Sequence, residues 1–584
     1  MNSKNRNPLA RRLSNLRHQL AYIDALPQLT VLGTIVGCLA ALIIVAFRGL
    51  IDFSTQLFLD SPENFESLSL QWRFLTPVIG ALLIAVIFQA LPKRHMQVGV
   101  SFVLDRLYNH QSHLPSVNMI VQFFAAAICI ISGQSVGREG PAVHLGAGVA
   151  SSFGRNFKLP NNSLRTLTAA GIAAAIAASF NTPLAGVIFA MEVVLMEYTI
   201  AGFVPIIMAS FAGALITRLV FGTEFVFTVQ GTDLASFAEL PFLVGFGLGI
   251  GVLATLFSKV LLLSNPAARL PIFFQILLGG IITGAIALYV PEVLGLGYDT
   301  VEKAMLGEIA VQSLLIILIA KIIATGATLN LGMPGGLIGP TLFIGALFGA
   351  VMGAIGGVLF DGDTSSTSFY VLLGMTASFG AVLNAPLTAL ITILELTNNP
   401  TLIFPSMLVV VISCLTTRFM IGDEGIFIAR LTKQGKSVKT NALRSELNKV
   451  GVRSIMDQNF VTSASVIDYN QAVKLLENRP RWIVINSSDT KEKHVLRAVD
   501  FANFIESPPE SVSLGKAAIE LLEVPGKRFA LPPLHERATL LEAHLLMETE
   551  NTDAVYIQNH YASPLEDDTL GIITHESIRN YYSI

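Results

Sequence analysis

Residues 137–141 read Gly-Arg-Glu-Gly-Pro, and a Gly-punctuated apolar helix is predicted from about Ala142 onward. The start of a helix offers unpaired N–H groups and a partial positive charge, which together make an anion site without a metal. Gly137 and Gly140 allow close approach to the backbone there. Glu139 is the unusual member, because its carboxylate can occupy such a site itself. It would then compete with a permeant anion, or move aside when protonated. The plainer reading makes Glu139 an ion-pair partner of Arg138; charges inside an apolar region are costly and are usually functional, which favours the first. A second Gly-rich break, GMPGGLIGP at 332–340, aims another helix start, from about Gly339, at the same kind of site. Gly335 and Gly336 expose amides in it, and Ile338 supplies an apolar wall. A third candidate turn is QVGVS at 97–101, around Gly99.

The elements that carry these breaks are those of a membrane protein. Of 584 residues, 52% are apolar and 14% charged, against roughly 25% charged in a soluble domain. That excludes a soluble enzyme, a disordered chain and a nucleic-acid binder. No nucleophile–base arrangement, metal motif or phosphate loop is present, so an enzyme is not expected. Cys38, Cys129 and Cys414 form no CxxC pair, so neither a disulfide scaffold nor a metal site is expected. Residues 1–20 are basic, with Lys4, Arg6, Arg11, Arg12 and Arg17. Apolar stretches follow at 29–48, 73–91, 117–133, 168–196, 201–220, 239–263, 271–291, 310–329, 336–358, 368–396 and 402–421. After about 430 the composition is that of a soluble domain. The positive-inside rule places the basic N-terminus in the cytoplasm, and the soluble tail is expected there too. Lys321 and Arg418 are read as snorkelling to an interface from near helix ends.

An internal repeat organises the apolar region. GIAAAIAASFNTPLAGVIFAME at 171–192 and GMTASFGAVLNAPLTALITILE at 374–395 share Asn181/Asn384, Pro183/Pro386 and Glu192/Glu395 at one constant offset. Two halves with matching broken helices point to a transporter or channel built around a central polar site. The residues leave open whether the repeat is inverted or parallel.

GREGP, NTPLAGVIFAME and GMPGGLIGP, in this order and spacing, resemble the CLC family of chloride channels and proton-coupled chloride antiporters. The resemblance covers about 29–435, and the tail resembles the family's paired CBS domains. It implies an all-α polytopic membrane protein whose halves, about 29–220 and 239–421, are inverted repeats with broken re-entrant helices. A cytoplasmic basic segment (1–28) would precede them. A linker (436–450) and an α+β CBS pair (451–505 and 532–584) would follow. It further implies a homodimer in the cell inner membrane with one anion pathway per subunit. Glu139 would be the gate, and amides near Glu139–Pro141 and Gly336–Leu337–Ile338 would coordinate chloride.

Four positions depart from the family pattern. Val98, before Gly99, stands where a pore serine is expected. Ile338 replaces a Phe. Phe427 replaces the pore tyrosine and has no hydroxyl. Val193, directly after Glu192, stands where antiporters carry an inner proton-relay glutamate. These departures favour passive, gated chloride conduction of the voltage-gated channel type. The alternative is a proton-coupled antiporter with a non-standard internal proton route, for which Glu197, one helical turn past Val193, is the candidate. Fluoride or another small anion is a minor alternative. In the tail, GIITHES resembles the CBS end motif, in which Thr574 would contact the ribose of an adenine nucleotide. Ser577 replaces the usual Asp, so a structural or gating role is the leading expectation and no cofactor is required.

Overall fold

Apolar segments interrupted by Pro, Gly and Asn cannot run as uninterrupted spans, and the fold breaks where those residues stand. The computed structural model describes residues 15–22, 25–60, 64–198, 200–223, 233–265, 267–360, 364–436, 438, 442–486, 492–506, 518–558 and 568–582. Lys4, Arg6, Arg11 and Arg12 lie outside them. The described parts of 29–157 and 164–438 form one compact unit; those of 439–584, with 1–28 and 158–163, form another.

The first unit is helical. Its first eight helices are α1 (Leu26–Thr55), α2 (Leu70–Gln89), α3 (Val100–Asn109), α4 (Ser116–Ile131), α5 (Glu139–Asn156), α6 (Asn161–Phe180), α7 (Pro183–Phe189) and α8 (Ile200–Phe221). The next eight repeat the order with similar lengths: α9 (Leu240–Leu261), α10 (Ile272–Ala287), α11 (Tyr298–Met305), α12 (Val311–Asn330), α13 (Ile338–Leu359), α14 (Thr367–Leu383), α15 (Pro386–Thr397) and α16 (Ile403–Ile421). A short α17 (Ile426–Lys433) follows. Eight helices among the described residues are long and apolar enough to cross a membrane. The apolar stretches 168–196 and 368–396, continuous in sequence, are each two helices. The residue that separates them is the repeated asparagine: Asn181 and Asn384 both take a left-handed conformation, φ 61° and 54°. Asn tolerates that conformation where other L-residues do not.

The repeat is inverted. Glu192, beyond the end of α7, accepts hydrogen bonds from the Leu387 and Thr388 amides at the start of α15, at 3.1 and 2.7 Å. Glu395, near the end of α15, accepts from the Leu184 and Ala185 amides at the start of α7, at 2.9 and 2.7 Å. Each carboxylate caps the beginning of the other helix, so the two helices run antiparallel. Close crossings tie neighbouring helices in both halves. A Cβ on Gly171 would lie 2.5 Å from the Gly146 carbonyl oxygen, and one on Gly374 2.2 Å from that of Gly345. Small residues let helices approach this closely.

Lys321 does not snorkel. It is fully buried on α12, and its ammonium donates to the carbonyls of Val293 and Gly295 at 3.0 and 2.9 Å. The Phe343 ring lies beside it, with the nitrogen 4.5 Å from the centroid. Arg418, near the exposed end of α16, pairs with Asp423.

The second unit opens with α18 (Ala442–Asn448), inside the stretch expected as a linker. It then holds two copies of one strand–helix–strand–strand–helix order. The first is β1 (Phe460–Ala464), α19 (Tyr469–Glu477), β3 (Trp482–Asn486), β4 (Lys493–Arg497) and α20 (Ala498–Glu506), with a short β2 (Val466–Ile467) between β1 and α19. The second is β7 (Pro533–His535), α21 (Leu540–Thr549), β8 (Ala554–Gln558), β9 (Thr569–Thr574) and α22 (His575–Tyr582). Pairing is parallel then antiparallel in both: β1 with β3 and β3 with β4; β7 with β8 and β8 with β9. The first helix of each copy starts on a capping box, Asp468 with Gln471 and Thr539 with Glu542. The connection between copies is not wholly irregular. It contains β5 (Ile519–Glu520), which pairs with β2, and β6 (Arg528–Leu531), which extends the first sheet along β4.

Candidate anion pathway

The starts of α5 and α13 meet at a two-bond bridge. The Gly137 amide donates to the Gly336 carbonyl at 2.7 Å, and the Gly336 amide donates back to the Gly137 carbonyl at 2.8 Å. Only glycine fits here. A Cβ on Gly137 would stand 2.0 Å from Glu139 Oε2, and one on Gly140 would stand 2.8 Å from the Gly336 Cα.

Glu139 is fully buried at this junction. Its Oε2 accepts from the Gly339 amide on the first turn of α13, at 3.1 Å. Its Oε1 is buried without a hydrogen-bond partner. A carboxylate from the first half thus occupies the amide cradle of the second, as an anion would. The flanking Arg138 lies over the rings of Phe180 and Tyr298, 5.5 and 5.8 Å from their centroids. Pro141 and Ile338 are buried in the first turns of α5 and α13.

A cavity of about 390 Å3 reaches the junction from one side. Val98, Gly99, Gly140, Gly336, Leu337 and Phe427, all expected on the pathway, line it, together with Ser101, Arg430 and Lys436. A second cavity, of about 30 Å3, is lined by Arg138, Arg48 and Asp52.

The turn at Gly99 differs from an open anion nest. Its amide is taken by Gln122 Oε1 at 2.8 Å and His144 Nδ1 at 3.1 Å. Gln122 also donates to the Pro334 carbonyl at 3.1 Å, joining the first-half turn to the second-half break. His144 therefore faces Gly99. The Ser101 hydroxyl donates to the Phe427 carbonyl at 3.2 Å. Val98 and Phe427 bring no hydroxyl, so no side-chain hydroxyl from these residues remains for an ion. Gln122 and Arg430 carry no motif that would mark them in the sequence. A polar Gln inside the apolar run 117–133 is the available signal for the first.

Val193 is buried in a π-helical turn, Ala190–Leu195, that continues α7. The helix ends there, because Met196 is left-handed with φ 54°. Glu197 therefore does not sit one turn on along the same face, contrary to the sequence expectation. It pairs instead with Arg165 at 3.5 Å, and the Arg165 guanidinium lies 4.8 Å from the Tyr108 ring centroid. In the second unit, the Thr574 hydroxyl lies 3.0 Å from that of Ser577 and accepts from the Ser577 amide at 3.1 Å. Thr574 thus secures the first turn of α22.

Residues 80–418 match the family model described as "Voltage gated chloride channel". The chain is 28% identical over 404 residues to the Voltage-gated ClC-type chloride channel ClcB of Salmonella typhimurium, covering 67% of this chain and 96% of that one. It is 30% identical over 332 residues to the H(+)/Cl(-) exchange transporter ClcA of Vibrio cholerae, covering 55% and 70%. A solved eukaryotic CLC transporter shares the fold over 94% of this chain and 97% of its own, with a TM-score of 0.60 at 18% identity. The α+β tail lies within the fold that this match covers in large part. The chain is a membrane protein that belongs to the voltage-gated chloride channel (CLC) family.

Proposed function

We propose that the protein exchanges chloride for protons across the membrane, with Glu139 as both gate and proton acceptor. The observation that carries this reading is the Glu139 carboxylate seated in the amide cradle of α13. A protonatable group and a halide that compete for one site are the minimum chemistry of an exchanger: loading a proton on Glu139 weakens its hold on the Gly339 amide and opens the site to chloride. The 30% identity to an H(+)/Cl(-) exchange transporter supports the same reading. Passive, voltage-gated conduction is the second reading, and it rests on Val193, which cannot relay a proton. Exchange requires an internal proton route that avoids Val193.

We further infer a homodimer in the inner membrane, with both termini cytoplasmic and lipid around each subunit. The tail's two matched strand–helix–strand–strand–helix copies support its assignment as a CBS pair. Because the Thr574 hydroxyl is engaged with Ser577, the proposed role of the pair is structural or gating, without a bound adenine nucleotide.

The test uses the purified protein in liposomes under a chloride gradient. The reversal potential is recorded at equal pH and again with a proton gradient imposed. Exchange predicts a shift with pH and uphill proton movement driven by chloride. A value that stays at the chloride equilibrium potential in both conditions would replace exchange by passive conduction.

A further inference from the structure

The large cavity beside the gate contains a charge that no step so far uses. Arg430 stands on α17 three residues after Phe427, and both line the cavity. One guanidinium nitrogen, Nη2, donates to the Leu329 carbonyl at 3.3 Å. Asp105 pairs with Lys436 at 2.7 Å, and Glu424 accepts from the Thr432 hydroxyl at 3.1 Å. No described carboxylate forms an ion pair with Arg430.

Arg430 is part-buried on the cavity wall, and a guanidinium there without a carboxylate partner favours an anion beside it. Lysine and histidine can shed a proton in such a place; arginine cannot. An anion that enters the cavity can supply a counter-charge. The space is sufficient, since 390 Å3 is many times the roughly 30 Å3 that a water molecule occupies in the liquid. The same wall presents the first turn of α3, through Val100, Ser101 and Phe102, and a helix start adds partial positive charge. The other donors are few. The Gly99 amide is held by Gln122 and His144, the Ser101 hydroxyl by the Phe427 carbonyl. Gln97 and Gln434 line the cavity as neutral donors, and the Lys436 charge is compensated by Asp105.

We propose that Arg430 forms an anion-binding step in this cavity, where it recruits chloride and replaces part of its water before the ion meets Glu139. The guanidinium does there what hydroxyls at positions 98 and 427 would otherwise do. This rests on the chloride-transport reading. Its binding arm can be tested apart from transport.

Chloride is titrated into the full-length, detergent-purified protein by isothermal calorimetry, with gluconate as the exchanged anion. Wild type is compared with Arg430→Gln, Arg430→Met and Arg430→Lys. Gln and Met are expected to weaken binding at least about tenfold, the scale of one charge-assisted hydrogen bond. Lys, which can carry the charge but can also shed its proton there, is expected to lose less affinity than Gln and Met. In liposomes, Arg430→Gln raises the half-saturating chloride concentration several-fold. Equal losses in all three variants, or none in any, overturn the proposal, the former by showing a packing role. A measurement without variants guards against misfolding: crystals soaked in bromide should show an anomalous peak beside the Arg430 guanidinium, and its absence overturns the proposal. Wild-type liposomes that move no chloride would sink the transport reading, while the calorimetric comparison would still decide whether Arg430 binds the ion.

Discussion

Arg138 and Gly140, the residues on either side of Glu139, line two different cavities. Glu139 between them is fully buried, with one carboxylate oxygen on the Gly339 amide, and on the proposed function its neutral isostere should free that amide for chloride. Glu139→Gln keeps the shape and cannot load a proton. The expected outcome is chloride flux that persists and no longer responds to pH from acid to neutral, with proton uptake abolished. Parallel chloride-electrode and pH-electrode records on the same liposomes check it.

Glu192 and Glu395 serve helix starts whose first residue is a proline, Pro386 and Pro183. Proline has no N–H to cap, so the next two amides take the carboxylate. Glu192→Gln and Glu395→Gln should each lower stability by about 1.5–3 kcal/mol, the usual worth of hydrogen bonds to a charged group. The two losses should add, because they fall at opposite ends of the α7–α15 pair. Thermal unfolding of the purified single and double variants measures this.

The Gly345–Gly374 crossing predicts a sharp difference between two conservative changes. Gly374→Ala places a Cβ 2.2 Å from a carbonyl oxygen and should cost about 1–3 kcal/mol or more. Gly357→Ala, on the same helix as Gly345 but facing open space, should be neutral or stabilising by up to about 1 kcal/mol. Melting temperatures in detergent separate the two.

Glu197 is tied to Arg165 beyond the left-handed Met196. Glu197→Gln should leave the proton-to-chloride ratio unchanged and cost about 1.5–3 kcal/mol, because the ion pair is largely buried. A ratio that falls with this change would restore Glu197 to the proton route.

The breaks are legible in the sequence because Gly, Pro and Asn act locally. Each ends or starts a helix through its own backbone, so GREGP, GMPGGLIGP and the two Asn-x-Pro steps can be placed by reading alone. The constant offset of the repeat is legible for the same reason. Its inversion is not, since spacing carries no direction; it emerges only from Glu192 and Glu395 capping each other's helices. Arg430 and Gln122 escape a sequence reading because what matters about them is an absent ion pair and a clasp to Pro334, both properties of distant segments. The snorkelling expected of Lys321 fails because hydropathy does not reveal that the Val293 and Gly295 carbonyls turn toward it. The Glu197 expectation fails because a π-turn and one left-handed residue, Met196, interrupt a helix that looks continuous by composition.

The paired bonds between Gly137 and Gly336 have a consequence for biogenesis. The two breaks that frame the proposed anion site come from different halves, so on that reading neither half would hold chloride alone. On the proposed function, halide affinity would require both breaks to be in place. An ion that recognises only the finished arrangement biases the molecule toward it by mass action; on the proposed function, chloride would consolidate the two halves as well as pass between them.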